Sequence, residues 1–236
     1  MKFKRCILPF SIVLAVFAGC RPPTPANTQA LPPEPVLKSY SGLYKWSGES
    51  NLFTDCGNGG TYTMVDGTHS LDTLYTRALG YGAYPADQVF VALQGFVNPT
   101  GAASGVPDVL VVTKVDTVAG KNMLNCCLPY EFWCIGTEPF WSLQISKLED
   151  GLFYSNANAQ QGTRFPWSAP KKRGNTWVYE SLSPDQKTSI RIVIKKEPCS
   201  DGMSDTRFTY SAEVTIGKEK LRGCAVRWGE PIPKSE

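Results

Sequence analysis

Beyond residue 38 the dominant pattern is a two-residue alternation of apolar and polar side chains, which predicts β-strands. It is clearest late in the chain. Ile190, Ile192 and Ile194 alternate with Arg191, Val193 and Lys195, and Phe208, Tyr210, Ala212, Val214 and Ile216 alternate with Thr209, Ser211, Glu213 and Thr215. Such runs mark antiparallel strands with one buried face. Trp141, Leu143 and Ile145 carry the same signal, and 151–154 and 177–180 add shorter segments. Earlier, 40–46, 52–56 and 61–65 read as strands, the last two joined into a hairpin by the Gly57-Asn58-Gly59-Gly60 turn. One stretch breaks the period: Leu71, Leu74, Tyr75 and Leu79 fall at helical spacing, with Ser70 as the N-cap. Strands return at 88–97 and 109–115.

Three strands, a helix and two strands is the order of an OB barrel. The expected fold is therefore mostly β, with an OB-like barrel over 39–120 followed by a second small antiparallel β barrel or sandwich over 126–230. The first 38 residues follow a different pattern. Lys2, Lys4 and Arg5 precede a short apolar run from Cys6 to Phe17, too short for the roughly 20 residues that cross a bilayer. A basic start, an apolar middle and small residues before a cut are the marks of an export signal, here 1–19. Val16-Phe17-Ala18-Gly19-Cys20 resembles the bacterial lipobox, with Phe17 where leucine is usual. The resemblance implies cleavage before Cys20, acylation of its thiol (palmitate among the chains) and attachment to the membrane through that lipid. Arg21, not aspartate, follows Cys20, which in enterobacterial sorting implies the outer membrane. Residues 20–38 form a linker in which prolines 22, 23, 25, 32, 33 and 35 favour an extended spacer.

Charge narrows the function. The chain carries 24 Lys+Arg and 21 Asp+Glu; losing Lys2, Lys4 and Arg5 with the leader leaves 21 against 21. A neutral mature chain lacks the basic balance of a nucleic-acid binder, so the rings of Tyr40, Tyr44, Trp46, Phe53 and Tyr62 read as core and not as a base-stacking platform.

Tyr40-x-Gly42-x-Tyr44, Phe53-x-Asp55-Cys56-x-x-Gly59-x-x-Tyr62 and Val91-Ala92-Leu93-Gln94-Gly95 resemble the C-terminal OB domain of the NlpE family, outer-membrane lipoproteins linked to copper homeostasis, surface sensing and envelope stress signalling. The resemblance covers about eighty residues. The family's Cys-x-x-Cys pair has no counterpart here, so copper sensing does not come with it. In the second half, Gly136-Thr137-Glu138-Pro139-Phe140-Trp141, Cys199-Ser200-Asp201-Gly202-Met203-Ser204-Asp205 and Leu221-Arg222-Gly223-Cys224-Ala225 resemble an uncharacterised family of envelope proteins found beside META/HslJ-type modules. It implies location and fold without an activity.

Glu138-Pro139 reads as the start of a strand, where proline costs no ladder bond, and Asp201-Gly202 and Ser204-Asp205 as turns. The alternative gathers Glu138, Trp141, Asp201 and Asp205 into one ligand site, with the carboxylates holding a cation or acting as a hydrolytic pair. Setting Cys6 and Cys20 aside leaves Cys56, Cys126, Cys127, Cys134, Cys199 and Cys224, which in an exported chain read as disulfides with 15 possible connectivities. Cys199 and Cys224 flank one hairpin region and share the second family's motifs, and are expected to pair. Of the adjacent Cys126 and Cys127, one is expected to pair with Cys134 and the other with Cys56, tying the modules together. The rival reading is a metal-binding lipoprotein with a thiolate site for Cu(I) or Zn(II) at Cys126, Cys127 and Cys134; soft ligands suit Cu(I), though the spacing fits no standard zinc pattern. His69 is the single histidine, set in an expected turn, and no phosphate loop, dinucleotide fingerprint or zinc-protease motif occurs. The expectation is a non-catalytic envelope lipoprotein without a cofactor. It would bind an envelope component or take part in stress sensing, and would bind no nucleic acid.

Overall fold

The computed structural model of the chain describes residues 34–48, 51–79, 87–100, 105–157, 162–203 and 205–233. The expected leader, Cys20 and most of the linker lie outside the described residues. The first part holds β1 (Lys38–Trp46), β2 (Asn51–Asp55), β3 (Thr61–Asp66), α1 (Leu71–Leu79), β4 (Gln88–Asn98) and β5 (Val109–Gly120). The strands close in the order β1-β2-β3-β5-β4, with β4 returning to β1 and β3 running parallel to β5. This is the barrel order expected from the sequence. Tyr44, Phe53, Met64, Val91, Leu93 and Leu110 fill its interior, so the rings of Tyr44 and Phe53 belong to the core.

A nine-residue helix is marginal by itself and is held by packing. Leu71 and Tyr75 of α1 face the barrel core. The Tyr75 ring meets Tyr44 edge-on at 5.5 Å, and its hydroxyl donates to the Asp87 carbonyl at 2.6 Å. The helix start differs in part from expectation. The Ser70 carbonyl accepts the Leu74 N–H at 3.1 Å, but the Ser70 hydroxyl bonds Thr68 at 2.7 Å. The capping carboxylate is Asp66, which accepts the N–H groups of Leu71 and Thr68, each at 2.8 Å.

The second part is one antiparallel sheet: β6 (Phe132–Thr137), β7 (Phe140–Ser146), β8 (Gly151–Asn156), β9 (Thr163–Pro166), β10 (Lys171–Arg173), β11 (Thr176–Leu182), β12 (Ser189–Ser200), β13 (Arg207–Ile216) and β14 (Glu219–Arg227). Its order is β10-β11-β12-β13-β14-β6-β7-β8-β9. The sheet curls around a core that includes Phe132, Leu143, Phe165, Tyr179, Ile192 and Tyr210. Side-chain bonds link its two ends: Ser181 Oγ donates to the Pro166 carbonyl and Ser168 Oγ to that of Glu180, each at 2.8 Å. Glu138-Pro139 does not begin a strand. Thr137 pairs with Phe140, so Glu138 and Pro139 are the two-residue turn of the β6–β7 hairpin, with a cis bond before the proline.

Residues 35–236 form one compact unit. The barrel packs on the outer face of the curled sheet through a second apolar cluster, in which Leu43 of β1 meets Tyr130, Trp133, Phe208 and Val226. Beside it, Lys121 Nζ reaches Glu149 Oε1 at 2.9 Å and Gln88 Oε1 at 3.3 Å while nearly out of solvent. Cys56, just past β2, is bonded to Cys127 of the connector.

Candidate functional site

The two motifs of the second half meet at the centre of the curled sheet. Gly136 of β6 lies directly across from Trp141 of β7, and Trp141 points into the sheet's own core with 4% of its surface exposed. A Cβ on Gly136 would sit 2.0 Å from Trp141 Nε1, and one on Gly223 of β14 would sit 2.9 Å from the indole Cζ2. The ring therefore lies across both glycines, an approach only a residue without a Cβ permits. Trp141 Nε1 is buried without a hydrogen-bond partner. This packing sets the Gly136–Trp141 and Leu221–Ala225 segments against one another.

On the opposite, outer face, the same strands line a groove beside the docked barrel. Its polar half, about 380 Å³, lies between Thr137, Glu197, Ser200, Ser211, Glu213 and Arg222. Its more apolar half, about 440 Å³, runs past Ile135, Thr137, Phe140, Ser142, Ser155 and Ala157. Thr137 belongs to both halves and ties in the third motif segment, its Oγ1 donating to the Asp201 carbonyl at 3.0 Å. The disulfide between Cys199 and Cys224, S–S 2.01 Å, holds β12 to β14 beside the polar half. Glu197 Oε1 accepts from Ser211 Oγ at 2.6 Å, and Lys195 Nζ stands 3.7 Å from Glu213 Oε1. Phe140 is 56% exposed and Met203, on the turn after Asp201, is 66% exposed.

Of the four residues considered as one ligand site, only Asp201 lines the polar half. Trp141 faces the core, with only its edge reaching the apolar half. Glu138 is exposed on the hairpin turn, and Asp205 is exposed. Trp141 is separated from Asp201, since it packs into the core of the sheet while Asp201 lines the outer groove. Asp201 Oδ1 accepts the Met203 N–H at 3.1 Å, the turn chemistry expected of it. Glu197, Ser211 and Glu213 were not singled out by the sequence, since outward polar residues of an alternating strand look like any solvent-facing row.

The cysteine cluster is also dispersed. Cys127 is bonded to Cys56, while Cys126 and Cys134 are free and buried, so the expected pairing of Cys134 is not made. Cys134 points into the core of the curled sheet, whereas Cys126 lies in the cluster on its outer face. The backbone of β6 separates them, which also takes apart the metal site considered at Cys126, Cys127 and Cys134. Among the described residues no group of His, Cys, Asp and Glu is arranged to hold a metal ion. Burial raises both free thiols above the ordinary cysteine value, Cys134 strongly; for Cys126 the nearby Lys121 ammonium opposes the shift without cancelling it. His69 is exposed in a turn with φ 56°.

The first part of the chain is thus an OB-type closed barrel, docked on the β sheet formed by the second. Residues 35–126 match the family model described as the NlpE C-terminal OB domain. The match covers the segment on which the resemblance of Tyr40–Tyr44, Phe53–Tyr62 and Val91–Gly95 rested. No curated protein and no solved structure matches the chain.

Proposed function

We propose that the protein is a non-catalytic lipoprotein of the bacterial envelope, held in the outer membrane by an acylated Cys20. In this reading the groove on its curled sheet binds another envelope component and contributes to envelope stress sensing. The NlpE match over 35–126 carries the assignment to envelope lipoproteins. The lipobox ending at Cys20 and the proline-rich spacer after it agree with that assignment. The binding role is supported by the meeting of Thr137, Asp201 and Arg222, from three separate motif segments, around one open groove.

Two experiments test the reading. Cells fed labelled palmitate are expected to incorporate it into the chain, and Cys20→Ser is expected to abolish the label and release the protein from the membrane fraction. Unchanged labelling would remove the anchor. For binding, the full-length acylated chain is crosslinked in intact envelopes beside Thr137→Trp, which fills the junction of the two groove halves. A partner captured by the parent chain and lost from a folded Thr137→Trp supports the reading; equal capture by both excludes the groove.

A further inference from the structure

We infer that the outward face of β10, β11 and β12 docks on the phosphate headgroups of the membrane to which the chain is anchored. This rests on the lipid anchor proposed above and adds which side of the molecule meets the lipid. Charge is unevenly spread along the chain. Residues 171–200 carry seven Lys or Arg and three Asp or Glu, whereas residues 20–170 and 201–236 together carry 14 and 18. A mature chain that is neutral as a whole thus keeps one basic panel, offset by acid elsewhere. β10, β11 and β12 are consecutive neighbours in the sheet, so the excess is contiguous in space as well as in sequence.

Register turns that excess outward. Trp177 and Tyr179 point into the core of the sheet, which leaves Thr176, Val178 and Glu180 facing out. Directly paired residues share a face, so Arg173 and Lys195 flank Thr176, Lys171 lies beside Val178, and Arg191 lies beside Glu180. The carboxylates present do not neutralise this face. Lys171 Nζ at 2.7 Å and Arg191 Nε at 3.2 Å share the single carboxylate of Glu180, and Lys195 stands 3.7 Å from Glu213 of β13. Among the described residues, exposed Arg173 and Lys196 make no ion pair. With Glu213 counted, seven cations still face four anions. Cations two strands apart stand about 10 Å from one another, which suits a layer of many phosphates and not the closing of several donors on one. Leu182 continues the outward row past Glu180 and is 51% exposed, an apolar side chain available to the acyl boundary. The tether favours a membrane over an acidic protein. From Cys20 to Lys38 the chain spans up to about 55 Å at about 3.1 Å per residue, against a width of about 40 Å for a folded unit of this size. The face is therefore free to turn to the lipid, and the anchor keeps it there at high effective concentration. Its attraction is screened within about 8 Å at physiological salt, so the face orients the molecule and the acyl chains hold it.

The test uses the chain from residue 20 with Cys20→Ser, which carries no lipid and reads the face alone. Binding at low salt is measured by co-flotation with vesicles of phosphatidylcholine, or of an equal mixture with phosphatidylglycerol. Affinity for the anionic vesicles is expected to exceed that for the neutral ones at least about tenfold and to fall as salt is raised. Arg173→Glu/Lys196→Glu breaks no ion pair and is expected to lower that affinity at least about tenfold, since each charge beside an anionic surface counts for about fivefold. Lys45→Glu/Arg77→Glu changes the net charge equally at exposed positions of the barrel and is expected to leave the affinity within about twofold. Unaltered urea midpoints confirm that both variants fold. Equal binding to the two kinds of vesicle, or equal loss from the two variants, overturns the inference. So does a chain that binds polyglutamate at low salt and leaves the vesicles alone, the result expected of a site for an acidic protein. Palmitate labelling of Cys20 is read separately. If labelling fails while the anionic vesicles are bound, the anchor falls and the face stands; the reverse result removes the face alone.

Discussion

At the scale of single residues, two positions make sharp predictions. Gly136 is glycine because the Trp141 indole occupies the place of its side chain, 2.0 Å from where a Cβ would sit. Gly136→Ala is expected to cost about 1–3 kcal/mol by overpacking, and pairing it with Trp141→Leu should recover part of that loss, since the Arg222 carbonyl 2.8 Å from the new Cβ stays in place. Urea unfolding of the two single variants and the double variant measures the coupling; additive effects would contradict the contact. Cys134 and Cys126 hold their thiol protons in the folded state beyond the pH at which an unfolded cysteine, near pH 8.5, gives it up. Their contribution to stability is therefore fully present below about pH 8.5 and declines as pH rises above it, by at most about 1.4 kcal/mol per pH unit for each thiol. Replacing both cysteines by alanine is expected to flatten the fall of the urea midpoint between pH 8.5 and 10, before tyrosines join the titration. An unchanged slope would show that neither thiol is as deeply held as the fold places it.

At the scale of elements, the helix start at Asp66 is the sharpest case. Burial pushes the Asp66 carboxyl up, but hydrogen bonds from Thr68, Leu71 and Ser70 together outweigh it and hold the group below its ordinary range. Its contribution is present above about pH 4 and lost as pH falls through its folded value. Asp66→Ala is expected to destabilise by about 1–2 kcal/mol at pH 7, with less difference from the parent at pH 3, as read by thermal melts. The sequence pointed to Ser70, the residue nearest the helix, and could not show that the turn through His69 brings Asp66 back to it. Elements with one solvent face were legible: in β12 and β13 the buried residues alternate as their sequence does. β6 was not, since Phe132-Trp133-Cys134 is buried throughout, with the core on one side and the docked barrel on the other. A strand covered on both faces loses its alternation. β9 and β10, of 4 and 3 residues, are too short to show a period. The groove was half legible: its motif segments stood out in the sequence, but which residues faced outward depended on the hairpin turn at Glu138-Pro139.

At the scale of the whole molecule, the barrel and sheet are held together by the Leu43–Trp133 cluster, the Lys121–Glu149 pair and the bond between Cys56 and Cys127. That bond closes a loop of 71 residues, worth roughly 4 kcal/mol in a chain-entropy account. Cys56→Ser/Cys127→Ser is expected to lower the melting temperature and to separate one calorimetric transition into two, for barrel and sheet. A single unshifted transition would mean that the apolar contact alone couples them. The order of the curled sheet has a kinetic consequence of its own. Its central pairing, β14 with β6, joins the sheet's last strand in sequence to its first. A chain delivered N-terminus first can assemble β6 to β9 and β10 to β13 as separate half-sheets, each with an unpaired inner edge, while the middle stays missing. Those edges are the kind that aggregate, so the slow and hazardous interval in this protein's life ends only when Glu219–Arg227 slots between them.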